Sequence, residues 1–176
     1  PTQPSPPQAT GSIYAALNFD AQQVVPSAAF DPTNPSSYNH ATSIVTYDSL
    51  GNSHTATMYF RKTADNQWNG HLYVDGAAVT SGGNPEFQLG FSESGALTTP
   101  TNGLVTMDAY TPAGAEPLNF VMDFADTTQY GGSFAVNSLG QDGFSSGRLS
   151  GVDIDADGIV FARYTNGQSS AMGKVA

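Results

Sequence analysis

Apolar and polar residues alternate along most of this chain with a period of two, the signature of strands with one face buried. Ile13, Ala15, Leu17 and Phe19 fall on one face of the stretch from Ser12 to Phe19. Phe87, Leu89 and Phe91 are in phase in the same way over Glu86 to Phe91. The cleanest case is Leu118 to Phe124, where Leu118, Phe120, Met122 and Phe124 interleave with Asn119, Val121 and Asp123. Two further runs rich in Val, Ile, Thr and Tyr, Thr42 to Asp48 and Ser53 to Lys62, flank the short polar connection Ser49-Leu50-Gly51-Asn52. A connection with Gly beside Asn suits a hairpin, because hairpin turns need residues at positive φ. Thr63 to Gln67 supplies the next turn and Trp68 to Asp75 the next strand, which predicts a β-meander. Leu104 to Tyr110 reads as another strand. Ile159 to Tyr164 and Ser169 to Val175 read as a hairpin closed at Asn166-Gly167.

Between these runs lie breakers rather than helices. Gly82-Gly83-Asn84-Pro85, Ser92 to Gly95, Thr98 to Gly103 and Thr111 to Pro117 are turn or loop sequence. Asp20 to Ala41 is a long connection punctuated by Pro26, Pro32 and Pro35, pinned by Val24, Val25 and Phe30. The texture turns Gly- and Ser-rich from Asp126 onward. The expected architecture is all-β: an antiparallel β-barrel or sandwich-like outer domain plus a small β-rich segment of a second domain. Residues 1–11 are expected to be an extended Pro-rich linker with no part in the core. Residues 12–127 would form the first domain and 128–176 the second segment.

With 39% hydrophobic residues in 176, the chain has enough apolar matter for a core, and wholesale disorder is excluded. Its 19 glycines and 11 prolines agree with many short strands. Fifteen acids against five bases give a formal charge of -10. Binding a polyanion needs Lys and Arg to neutralise phosphates. No base lies between Thr63 and Gly147, so nucleic acid and anionic membrane are excluded as partner classes. The absence of cysteine excludes thiol catalysis, thiolate metal sites and disulfides. No apolar run approaches the ~20 residues of a membrane helix. Beginning at Pro1 without a Met, the sequence reads as a piece of a longer protein.

Candidate chemistry is sparse. Asp153, Asp155, Asp157 and Gly158 open like a calcium loop, but Tyr164 stands where that loop needs a bidentate Glu, so an acidic turn is expected. Gly143-Phe144-Ser145-Ser146-Gly147 fits a nucleophile elbow by letter, yet the residues that follow do not start a helix. His40, His54 and His71 lack the close spacing of metal ligands, and a general base among them would need a carboxylate beside it. Trp68, Tyr59, Tyr73 and Tyr110 could form a flat sugar-binding platform, though strand-borne aromatics more often pack within the fold. No catalytic, metal-binding or cofactor-binding residue is assigned, and no enzyme is expected.

The run FDPTNPSSYNHATSIVTYDSLGNSHT followed by YFRKTADNQW, with Tyr47 to Asn52 and His54 at its centre, resembles the outer-domain region of the bacterial flagellar hook protein family. Gln141-Asp142-Gly143-Phe144, Gly147-Arg148-Leu149 and Ala162-Arg163-Tyr164 leading into Asn166-Gly167-Gln168 resemble the family's inner domain. Ala115 to Phe124 is similar to the strand closing the outer domain. The resemblance implies a structural fragment of the hook, the flexible tubular universal joint that transmits motor torque to the filament. It implies a protein exported unfolded by the flagellar secretion system to the cell exterior. It implies self-association with other hook-protein copies, and neighbours in the rod and at the hook–filament junction. The alternative is a carbohydrate-binding or adhesin-type β-sandwich module, which predicts exposed coplanar aromatics around Trp68.

Overall fold

The computed structural model describes residues 3–175. The described residues form the strands β1 Ser12–Asn18, β2 His40–Tyr47, β3 Ser53–Ala64, β4 Gln67–Val74, β5 Ala77–Val79, β6 Phe87–Phe91, β7 Leu97–Thr99, β8 Leu104–Thr106, β9 Val121–Asp123, β10 Ala135–Gln141, β11 Leu149–Ile154, β12 Ile159–Tyr164 and β13 Ser169–Lys174. Among them the one helical element is a single 3-10 turn, Pro35–Ser37. One sheet runs β2-β3-β4-β6-β7 with β5 also on β4; a second runs β10-β1-β9-β8; a third is β11-β12-β13. The strand pairings are antiparallel except β1 with β9, where Ser12 to Tyr14 run parallel to Val121 to Asp123.

The first two sheets share one core. Met58, Phe60, Trp68, Leu72, Leu89 and Phe91 point from the larger sheet at Ile13, Leu17, Phe19, Phe120, Met122 and Phe124, and all are buried. Phe19 stands at the centre, its ring 4.7 Å from Trp68 and 4.9 Å from Phe60. Each large side chain so buried contributes roughly 1.5–3 kcal/mol. The β2–β3–β4 meander is positioned by its turns: Gly51 (φ 82°) and Asn66 (φ 62°) take the left-handed backbone the hairpins require. Lys62 is buried, but its ammonium donates to the carbonyls of Ala21 (2.8 Å) and Gln23 (2.9 Å) and so ties down the long connection after β1.

The alternation over Leu118 to Phe124 marks the buried side chains correctly, yet only Val121 to Asp123 is ladder. This segment divides its backbone bonds among several neighbours. Leu118 pairs with Tyr110, Phe120 accepts from Met107, and Val121 donates to Gly11. The strand expected over Leu104 to Tyr110 stops at Thr106 for the same reason, since Asp108 N–H turns to the Thr80 carbonyl. β5 falls in a stretch to which the sequence pattern assigns no element, and β7 runs into the Thr98 to Gly103 stretch read as loop.

Over residues 3–11 the chain is extended, as its prolines predict, but it does not stand apart. Ser5 pairs with Gly147 and Gln8 with Phe144, Ala9 packs on the core, and Thr10 is buried. Pro1, Thr2 and Ala176 lie outside the described residues. Hydrogen bonding also continues past residue 127. Thr128 exchanges bonds with Leu17 and Phe19, and β10 runs antiparallel to β1 from Ile13↔Gln141 to Asn18↔Ala135. Beyond Gly147 the character changes: every residue of β11 and β13 is exposed.

Candidate functional site

The densest polar cluster lies at one end of the larger sheet, around the turn after β2. Asp48 holds that turn together. Its Oδ1 accepts the amides of Leu50 (2.9 Å) and Asn52 (3.0 Å), and its Oδ2 accepts Asn52 Nδ2 at 3.3 Å. His54, on β3, lies between two carboxylates, with Nε2 2.8 Å from Asp48 Oδ2 and Nδ1 2.6 Å from Asp75 Oδ2. Asp75 sits in the turn after β4 at φ 50° and also accepts the Thr55 amide at 2.9 Å. A carboxylate only accepts, so the arrangement favours the imidazolium form of His54, in which both ring nitrogens donate. Its side chain is 13% exposed, against 1% for Asp48 and 44% for Asp75.

The proton affinities agree with this geometry. Partial burial is the strongest single influence on His54 and acts against its charge. The hydrogen bonds to Asp48 and Asp75 and their charges outweigh it, and the pKa is raised. Burial pushes Asp48 up, but His54 and the turn amides together hold it below the usual carboxylate value. For Asp75 the His54 hydrogen bond is the leading cause of a lowered pKa. The ring of Tyr110 stands edge-on to His54 at 6.3 Å. Neither carboxylate was singled out in the sequence. The signal was available, because a hairpin closing at Asp48–Asn52 places His54 diagonally across from Asp48.

The other two histidines go elsewhere. His71 stacks flat on Phe30 at 3.6 Å, and His40 on Phe134 at 4.1 Å. Burial leads in depressing both pKa values. Among the described residues no group of three or more His, Asp or Glu is arranged to hold a metal ion. Asp155 accepts the amides of Asp157 and Ile159 with Gly158 at φ 77°, and Asp153 pairs with Arg163 across to β12. Ser145 lies in the connection before β11, its carbonyl taken by Asn166 Nδ2 at 2.9 Å, and no helix follows it. Trp68 is the opposite of a platform: it is buried, and its indole N–H donates to Gln129 Oε1 at 2.7 Å. Tyr59 and Tyr73 do meet, but at 87°, with Tyr38 at 68° to Tyr59, and Tyr110 stands apart beside His54. The coplanar surface that a sugar-binding module needs is not formed by these rings, and nothing supports that alternative.

Fold and cluster define an all-β domain of two packed sheets whose polar side chains tie turns together. Residues 18–144 match the family model described as the flagellar basal body protein FlaE D2 domain. The chain belongs to that family. It is similar to the flagellar hook protein FlgE of Salmonella typhimurium, 29% identical over 171 residues that make up 96% of this chain and 42% of that protein. It is also similar to the FlgE of Rhizobium meliloti, 36% identical over 131 residues, or 72% of this chain and 32% of that one. The chain thus spans about two fifths or less of the length of these relatives. The fold is shared with the crystal structure of Helicobacter pylori flagellar hook protein FlgE2, with a TM-score of 0.53 at 16% identity over 77% of this chain and 32% of that one.

Proposed function

We propose that the chain is part of a flagellar hook protein and serves as a structural subunit of the hook, the flexible tube that passes motor torque to the filament. The observation that carries this is the family match across residues 18–144, joined to a relative's likeness over 96% of the chain. Copies of the whole protein associate with one another in the hook and meet rod and hook–filament junction proteins at its ends. The protein reaches the cell exterior by export in an unfolded state. A cysteine-free chain suits that route, since no disulfide has to form on arrival. The mechanism is mechanical rather than catalytic: stiff β domains make contacts weak enough to slide, and the formal charge of -10, repelling like copies, agrees with contacts that stay weak.

The domain division that fits the hydrogen bonding best differs from the one read in the sequence. The outer body takes in β1 to β10 and ends near Phe144, where the family match also ends. The sheet β11–β13 belongs to a second domain, completed by chain outside this sequence. Its exposed strands support that assignment.

The test is to delete residues 12–144 from the full-length protein in a motile bacterium and image hooks while recording swimming. Straight, stiff or unstable hooks with impaired swimming are expected. Normal hooks and normal motility would overturn a role for this body in the joint.

A further inference from the structure

We infer that the Asp48–Asn52 turn is a wedge that fixes the angle between the two-sheet body and the β11–β13 sheet. The two parts are joined by a narrow neck of two chain segments. Ser5 and Gly147 exchange backbone bonds of 2.8 and 3.1 Å, and Gln8 and Phe144 exchange bonds of 3.0 and 2.9 Å. Two antiparallel segments alone make a flexible strap, because an isolated pair of strands is marginal in water.

The turn lies against this strap. Gly51 sits so close that a Cβ there would come within 2.9 Å of Pro7 Cβ, 3.0 Å of Ser146 N and 3.2 Å of Ser145 Cα. It therefore touches both segments of the neck at once. One residue before the turn, Tyr47 is bonded to the neck as well: its carbonyl accepts Thr10 N–H at 2.9 Å and its amide donates to Thr10 Oγ1 at 3.0 Å.

The far side of the neck is gripped by the small sheet. Asn166, in the turn between β12 and β13, donates to the Ser145 carbonyl, and a Cβ at Gly147 would meet its side chain at 2.5 Å. Arg148 and Thr165 exchange further bonds of 2.8 and 2.9 Å. A continuous path thus runs from Asp48 through Gly51, Ser145 and Asn166 into the small sheet. The wedge is itself braced from behind, since His54 bonds Asp48 and Asp75 together and so ties this turn to the next one along the sheet edge. The body side of the joint is thus a clasped turn, and the small sheet's side is Asn166.

The reading concerns motion within this chain and stands apart from assembly into a hook. It is tested by 15N relaxation of residues 1–176, comparing the tumbling time of amides in residues 12–141 with that of residues 149–174. A common tumbling time is expected for the native chain. Gly51→Ala pushes a methyl into the neck, so two distinct times or a changed relative orientation in residual dipolar couplings are expected. Two distinct times in the native chain, or an unchanged single time and orientation in Gly51→Ala, would overturn the inference. Should Gly51→Ala fail to fold, Thr10→Val loosens the Tyr47 contact from the neck side and leaves the turn intact. Partial separation of the two tumbling times is expected there, and unchanged common tumbling would overturn the inference equally.

Discussion

The two-sheet body and the β11–β13 sheet are built from similar strands and differ in what lies behind them. β3 alternates half-buried and buried along most of its length, and its buried side chains meet those of β1 and β9. β12 carries Ile159, Val160, Phe161 and Tyr164, an equally apolar strand, yet only Ala162 is buried. Both regions satisfy their ladder hydrogen bonds. Only the body removes large side chains from water on both sides of a shared core. Pairing thus sets the shape of a sheet, while burial opposite a second layer supplies most of its stability. The comparison predicts that substitutions of similar size act very differently in the two regions.

The largest effect is expected at Trp68. Trp68→Ala leaves a cavity beside Phe19 and strips Gln129 of its indole partner. Loss of about 3–5 kcal/mol is expected, measured by denaturant unfolding followed by circular dichroism, since the substitution removes the chain's one Trp. A loss below about 1 kcal/mol would mean that the body lacks the tight core described.

An intermediate effect separates His54 from the rest of the sheet. The folded pKa of His54 is raised above 6.5, so its contribution is complete below 6.5 and is lost as pH rises through the folded value. Asp48 and Asp75 are lowered from 3.8, so their contribution is complete above 3.8 and is lost as pH falls through their folded values. His40 and His71, lowered from 6.5, weaken the fold as pH falls below that value. The acid side therefore mixes several groups, whereas the alkaline side up to about pH 9 isolates His54. Deprotonation removes one of its two hydrogen bonds. The Asp75 side gives way first, because Asp75 can turn to water while Asp48 cannot. A loss of about 0.5 kcal/mol, near the low end for a hydrogen bond because Asp75 is partly exposed, is expected in the native chain and absent in His54→Gln. Equal alkaline slopes in urea titrations of the two chains would remove His54 from the account.

Much of this contrast was legible in the residues. The period of two identified the core face of β1 and β6 and the buried side chains of Leu118 to Phe124, and Gly51 marked the β2–β3 turn. Two kinds of information were not local. Which strands lie side by side depends on chain closure over long separations, so the pairing of β1 with β10, from Ile13↔Gln141 to Asn18↔Ala135, carried no signature in either segment. The change of texture near Asp126 tracks glycine and serine content, which reports side-chain size. It does not report where backbone hydrogen bonds go, and those continue to Gln141. His54 was visible as a residue and the local hairpin register sets Asp48 beside it, but Asp75 becomes its second partner only once the turn after β4 is brought to the same sheet edge.

The smallest effect is the one that sharpens the comparison most. Ile154 ends β11 and is 61% exposed. By composition alone Ile154→Ser on a strand should cost as much as a core substitution. With no layer above it, the change removes little apolar surface that was hidden from water. Stability should then stay within about 0.5 kcal/mol of the native chain, measured on residues 1–176 by the same urea titration. A loss above about 1 kcal/mol would show that something covers this face within the chain itself. The same substitution in the full-length protein separates two sources of cover. A cost that appears only there means that chain outside this sequence lies on β11 and completes the sheet.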